Sequence, residues 1–323
     1  LPVKDIGLLT ELVYGTIQRK LTLDYYLQPF IKGKVESWVR NLLRLTVYQL
    51  YFLDRIPDHA AIFEAVEIAK KQGHQGISKM VNGILRTMQR EGVPSFDKIK
   101  DPVQRISIET STPEWLVKRW VEQFGIEDAK KICEINLTAP HQTARVNLTR
   151  TTREDVINLL KEEGFDVKES EFLIEAIICL KGNLALSNCF KEGLITIQDE
   201  SSMLVANVLN PALNDKILDS CAAPGGKTTH IAEKLNNTGE VIALDLHEHK
   251  VKLIGQTAQR LKLENITTKA MDSRKVLEHF KAETFDRILI DAPCSGLGVL
   301  RRKPDMKYTK KEEDIFSLAK IQK

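Results

Sequence analysis

Residues 216–227 read KILDSCAAPGGK and run on into TTHIAEKL. Lys216 to Ser220 has the apolar character of a short strand, residues 221–226 carry no side chain larger than proline, and Thr228 to Leu235 has the spacing of a helix. A strand, a tight small-residue loop and a helix start in succession let the backbone approach a ligand closely. The free N–H groups of the first helical turn face the same space and favour an anionic group, so a cofactor carboxylate or a phosphate fits.

The downstream segments decide between the two. VIALDLH, residues 241–247, carries Asp245 at a strand end, about 20 residues beyond the glycines, where doubly wound nucleotide folds hold a carboxylate against both ribose hydroxyls. ITTKAMD and FDRILID then end on Asp272 and Asp291. Ligands of open parallel sheets bind outside the carboxyl ends of the strands, so acids at three strand ends converge on one crevice. GGKTT followed by an apolar run ending in Asp also resembles the motifs of a P-loop nucleotide hydrolase, but that pattern needs a glycine where Cys221 stands. Electrostatics points the same way. A triphosphate beside Asp245 and Asp272 is repelled, whereas the sulfonium and ribose hydroxyls of S-adenosylmethionine suit carboxylates.

Just beyond Asp291 lies the loop DAPCSGLG, residues 291–298, then VLRRKPD. CAAPGGK, the acid ending the next strand, and DAPCSGLG together resemble the RNA cytosine-C5 methyltransferases, of the bacterial small-subunit ribosomal type, and the likeness runs along nearly the whole chain. The expected reaction is methylation of one cytosine in small-subunit (16S) ribosomal RNA. For the cofactor loop, Cys221, Ala222, Ala223, Pro224, Gly225, Gly226 and Lys227 are expected to wrap the methionine end of S-adenosylmethionine. Asp245 is expected to accept both ribose hydroxyls, Asp272 with neighbouring backbone to meet the adenine amino group, and Asp291 to sit near the donor amine and the reacting methyl.

Cytosine C5 is too weak a nucleophile to take a methyl group directly. A thiolate must add to C6, C5 then attacks the methyl, and a base removes the C5 proton so that the thiolate can leave. Cys294 follows Asp291 by three residues at the mouth of the crevice, beside a basic segment that favours a thiolate. The resemblance refines this: the RNA branch takes its covalent nucleophile from a later Thr-Cys motif and uses the cysteine of the Pro-Cys motif for product release. No Thr-Cys motif occurs in residues 1–323. Cys294 is therefore the expected release cysteine, its use as the covalent nucleophile, as in DNA cytosine methyltransferases, being the lesser alternative. Cys221 is expected to be a small packing residue lining the cofactor loop.

The 323 residues, 42% of them hydrophobic, suffice for two or three packed domains. No apolar run approaches the length of a membrane span. The chain begins at Leu1 with no signal-like segment, so its natural N-terminus is expected to be absent. Cys133, Cys179, Cys189, Cys221 and Cys294 form no CxxC pair, which fits a reduced, cytoplasmic protein with neither disulfide scaffold nor zinc site. The net charge is +3, and residues 301–323 hold eight Lys/Arg against four Asp/Glu. Arg301, Arg302 and Lys303 are thus candidate contacts to a polyanion or, equally, a solvated surface.

Residues 1 to about 90 carry apolar residues at helical spacing in IGLLTELVYGTIQRK, LTLDYYLQPFI, SWVRNLLRLTVYQLYFL, HAAIFEAVEIAKK and ISKMVNGILRTMQR, which predicts a helical bundle. Three stretches, LLRLTVYQLYFL, IPDHAAIFEAVEIAKK and KMVNGILR, resemble NusB, an RNA-binding helical domain. Tyr25, Tyr26, Tyr48 and Tyr51 are expected in the core or at its boundary rather than as base-stacking platforms. VPSFDKIKDP marks a linker, and TPEWLVKRWVEQFG and EDAKKICEINLTA predict a helix pair with Thr112 as N-cap and Pro113 at the first helical position. Trp115, Leu116, Arg119 and Trp120 bring two indoles and a cation onto nearby faces, for which core packing is the first expectation and RNA contact the alternative.

From His141 strands alternate with helices: QTARVNL, FDVKES, EAIICLK and LITIQDE predict strands around the helix TREDVINLLKEEGF, capped by Thr152. The resemblance implies an RRM-like subdomain here. The expected architecture is a NusB-like bundle with linker helices over residues 1–130, an RRM-like α+β subdomain over 131–193, and a Rossmann-like class I methyltransferase domain over 194–323. That last domain yields four parallel strands, too few for such a sheet, and leaves the strand ILID with an apolar edge, so the sequence is expected to be part of a longer protein. Partners are expected to be small-subunit ribosomal RNA or a ribosome assembly particle, with a monomeric protein. Two other classes stay open: a nucleotide hydrolase, and a non-enzymatic RNA-binding protein.

Overall fold

The computed structural model describes residues 3–322, with side chains from residue 5 onward. It gathers into two compact units, one of residues up to Pro140 together with Ser295–Ile321, the other His141–Cys294.

The first unit is helical. Helices α1 (Val3–Gln18), α2 (Lys20–Leu27), α3 (Ser37–Phe52), α4 (Asp58–Gln72) and α5 (Gln75–Glu91) coincide with the segments read from apolar spacing. Their apolar stripes meet in one core, where Leu23, Leu27, Leu43, Val47 and Leu85 are wholly inaccessible. Each such side chain contributes about 2 kcal/mol of burial, which is what holds a bundle of short helices together. Tyr48 is buried, Tyr26 meets Tyr51 edge-on at 5.8 Å, and Tyr25 stacks on Phe96 at 5.6 Å, so these rings serve core and boundary.

Helices α6 (Pro102–Glu109), α7 (Glu114–Phe124) and α8 (Ile126–Ile135) follow. Thr112 is not the N-cap of α7. Pro113 holds that position, and the buried Thr112 hydroxyl turns inward to the Thr110 carbonyl at 3.4 Å. A boundary at residue 130 would cut α8, because its buried stripe continues from Ala129 to Cys133, packed with Ile106 and Val117.

The second unit opens with β1 (Gln142–Val146), α9 (Arg153–Glu162), β2 (Asp166–Glu169), β3 (Ala176–Lys181), α10 (Asn188–Lys191) and β4 (Ile195–Ile197). The strands form an antiparallel sheet in the order β2-β3-β1-β4, the α+β arrangement expected here. Thr152 caps α9 by accepting the Asp155 N–H at 3.1 Å. A boundary at residue 193 excludes β4, yet Ile195 is fully buried in this sheet's core and Val146 pairs with it. The sheet therefore extends past the expected end.

Then come α11 (Glu200–Leu209), β5 (Lys216–Asp219), α12 (Gly226–Lys234), β6 (Glu240–Asp245), α13 (Glu248–Leu261), β7 (Ile266–Ala270), α14 (Val276–His279) and β8 (Arg287–Leu289). The four strands are parallel, in the order β7-β6-β5-β8. The order reverses between β5 and β8, the switch point at which such sheets open a crevice at their carboxyl ends. Among the described residues strand β8 pairs only with β5, and Ile288 on it and Ile290 just past it are 53% and 68% exposed. Helix α12 begins two residues earlier than Thr228, since Gly225 at φ +100° already turns the chain into it.

The basic run begins in turn backbone at Arg301, Arg302 and Lys303 and continues through the last helices, α15 (Met306–Thr309) and α16 (Glu312–Gln322). Not all of it is surface: Arg301 donates to the Thr138 carbonyl at 3.1 Å and hydroxyl at 2.9 Å, and Lys307 is buried with its Nζ on the Gln18 carbonyl at 2.8 Å. No described helix is long and apolar enough to cross a membrane.

Candidate active site

Strand β5 ends on Asp219, and the chain then makes its small-residue turn under two ties. The Ala222 N–H donates to the Leu244 carbonyl at 2.8 Å, and the Gly225 N–H to the Ala222 carbonyl at 2.7 Å. A Cβ on Gly225 would stand 3.2 Å from the Ile254 Cα, and φ at this position is one that side chains avoid. Glycine is thus required both for the turn and for the close passage of α13. Beyond it no side chain caps α12, so its first-turn amides have no acceptor of their own in the helix.

Three carboxylates gather round this turn. Asp219 is 1% exposed; its Oδ2 accepts the Thr228 hydroxyl at 2.7 Å, while Oδ1 is buried without a partner. Burial pushes its pKa up to about 6, the Thr228 bond pulling the other way. Asp245, at the tip of β6, accepts the His247 N–H at 3.1 Å. Asp291, two residues past β8, meets the Lys227 ammonium, which joins the loop to the neighbouring strand tip. The Ser220 N–H and hydroxyl both donate to the Leu289 carbonyl at 3.0 Å, and the Ser273 hydroxyl donates to the Ser220 carbonyl, so both flanks of the turn are fixed. Burial raises the Cys221 thiol pKa, and Asp219, Asp245 and Asp291 raise it further by their charge. The three acids sit at the ends of three neighbouring strands, β6, β5 and β8, around the start of the loop.

Asp272 is disposed differently. It lies two residues past β7, and its carboxylate is clasped by the Arg274 guanidinium at 2.6–3.1 Å, which holds its pKa down to about 2. Cys294 is exposed, three residues beyond Asp291, in irregular backbone. Among the described residues no cluster of His, Cys, Asp and Glu is arranged to hold a metal ion. A hollow of about 650 Å³ between Pro29 and the Met80–Thr87 face of α5 lies in the helical bundle, with Lys32, Glu91 and Lys98 among its lining residues.

Two participants escape a reading by motif. Asp219 had a signal, since an acid ends the first apolar strand just as acids end the later ones. Arg145 on β1 had little: its fully buried guanidinium reaches the carbonyl of Gly226 at 2.8 Å, a contact between residues 81 apart in sequence.

Residues 206–323 match the family described as 16S rRNA methyltransferase RsmB/F, residues 1–90 the NusB family, and residues 112–185 the ferredoxin-like domain of RsmF/B-like methyltransferases. The chain is 57% identical over 318 residues to the probable ribosomal RNA small subunit methyltransferase B of Bacillus subtilis, an alignment spanning 98% of this chain and 71% of that protein. The chain belongs to this family. The Proteus mirabilis ribosomal RNA small subunit methyltransferase B is 36% identical, over 99% of this chain and 75% of its own. Among solved structures, NSun6 from Pyrococcus horikoshii with SFG is 26% identical with a TM-score of 0.59, covering 65% of this chain and 77% of that one. The crystal structure of PH0851 superposes over 99% of this chain and 73% of its own with a TM-score of 0.80 at 24% identity, a likeness of fold. Membership removes the nucleotide-hydrolase alternative. The family's cofactor is S-adenosylmethionine, and the residues fit it: open helical amides for its carboxylate, Asp245 for hydroxyls, and a group of carboxylates for a sulfonium.

Proposed function

We propose that this chain carries the cofactor-binding and base-facing parts of an enzyme that methylates C5 of one cytosine in small-subunit ribosomal RNA. The observation that carries the reading is the placement of Asp219, Asp245 and Asp291 at the ends of three adjacent parallel strands. Asp219 is tied to the loop helix through Thr228, Asp291 through Lys227, and the residue before Asp245 holds the Ala222 amide, while the exposed Cys294 follows Asp291 by three residues. S-adenosylmethionine supplies an electrophilic methyl group when bound. The residues do the rest. Cys221, Ala222, Ala223, Pro224, Gly225, Gly226 and Lys227 enclose the methionine end, whose carboxylate takes the first-turn amides of α12. Asp245 accepts the ribose hydroxyls. Asp272, its carboxylate already clasped by Arg274, borders the adenine edge with its adjoining backbone. Asp291, steadied by Lys227, would hold the donor amine end of the cofactor. Cys294 faces the base and acts when the C5 proton has left, helping the covalent thiolate to depart from C6. The resemblance assigns that covalent thiolate to a Thr-Cys motif, which residues 1–323 do not contain.

The substrate reading rests on the names of the relatives and on the NusB-like and ferredoxin-like parts. It implies a cytoplasmic monomer acting on ribosomal RNA or on an assembly particle. In the full-length enzyme, Asp245→Ala should abolish measurable binding of S-adenosylmethionine in a calorimetric titration and erase one cytosine signal in bisulfite maps of ribosomal RNA. Retained methylation would refute the cofactor assignment. Cys294→Ala should accumulate a covalent RNA adduct, seen as a slow-migrating band; turnover without any adduct would remove Cys294 from the chemistry.

A further inference from the structure

The cofactor loop is held from beneath by a side chain of the antiparallel sheet. Arg145 is fully buried, and its guanidinium is bonded on every nitrogen. Nε and Nη2 donate to the two Glu233 oxygens at 2.8 Å each, Nη2 also to the Thr229 hydroxyl at 3.0 Å, and Nη1 to the Gly226 carbonyl at 2.8 Å and to Gln198 Oε1. An apolar pair of similar shape would serve stability as well or better than a buried ion pair, so stability alone gives no reason for arginine here. What arginine adds is a rigid fork that reaches Glu233 and, about two turns away, the opening residue of the helix.

The Gly226 carbonyl and the Lys227 N–H belong to one planar peptide and point in opposite directions. A cation fixed on the carbonyl therefore sets the aim of the N–H and polarises it as a donor. We propose that Arg145 is a positioning residue for the cofactor: by holding the Gly226 carbonyl it directs the Lys227 amide at the cofactor's carboxylate, which makes the antiparallel sheet a working part of the methyl-donor site. This rests on the reading of Cys221 to Lys227 as the cofactor loop.

The test separates the two ends of the ligand. In the full protein, Arg145→Lys keeps a positive charge beside Glu233, but one ammonium cannot hold Gly226, Thr229 and both carboxylate oxygens. Calorimetry should give an affinity for S-adenosylhomocysteine about tenfold weaker than wild type, the scale of one charge-assisted hydrogen bond. Affinity for methylthioadenosine, which lacks the carboxylate end, should stay within about twofold. His230→Gln alters the same helix away from the loop and should lower the unfolding temperature while leaving both affinities unchanged. Equal weakening of both ligands by Arg145→Lys, or weakening of neither, overturns the proposal. Should Arg145→Lys fail to fold, Glu233→Gln loosens the fork about two turns from the loop and must show the same selectivity at smaller size. Wild-type protein that binds neither ligand would overturn the loop assignment, and this inference with it.

Discussion

Two buried ionisable side chains on α12 and β5 pull the stability of the second unit in opposite directions as pH falls. Asp219 is raised by burial from an ordinary 3.8 to about 6, so the folded state holds its proton more tightly; stability from this group is greatest below pH 4 and is lost as pH rises through 6. His230 is lowered by burial from 6.5 to about 4, its Nε2 3.4 Å from Glu175; stability from this group is present above pH 6.5 and lost as pH falls through 4. Each shift is worth about 3 kcal/mol, so they nearly cancel across the same window. Asp219→Asn should therefore make urea unfolding more acid-sensitive between pH 6.5 and 4, and His230→Gln less so; parallel curves for all three proteins would refute this. The sequence made the acids visible because each ends an apolar strand. It hid His230, Glu175 and Arg145, whose partners lie 55 and 88 residues away.

The strand, turn and helix of residues 216–235 were legible because composition alone restricts them, and the parallel strands because their apolar runs stop at acids. The helix start was misread by two residues, since nothing in the sequence tells which of two adjacent glycines adopts the left-handed turn. Gly225→Ala tests the structural choice: forced into positive φ against Ile254, it should cost about 1–3 kcal/mol in chemical unfolding and weaken cofactor binding, while Gly226→Ala, whose nearest neighbour is Gln198 at 3.8 Å, should cost less. Equal losses would show that the turn tolerates a side chain. Periodicity likewise gave the bundle helices but missed the cap of α7, because a proline following a threonine suits two adjacent cap positions.

Across the chain, the least foreseeable contact joins Lys307 to the carbonyl of Gln18, 289 residues earlier. Burial lowers this lysine from 10.5 to about 7, so stability is lost as pH falls from above 10 through 7. Lys307→Met should raise stability at pH 7 by about 1–3 kcal/mol and remove the gain that the wild-type protein shows on going to pH 9.5, measured as urea midpoints. A destabilised variant would mean that the bond to Gln18 outweighs desolvation. A different kind of fastening holds the second unit together. The inward side of α12 presents Thr228, Thr229, His230 and Glu233, all buried, to Asp219, Arg145 and Glu175. Grease tolerates slippage, whereas directed polar contacts accept one seating. Swapping either sheet for that of a distant relative should therefore yield poorly assembled hybrids unless these partners travel together.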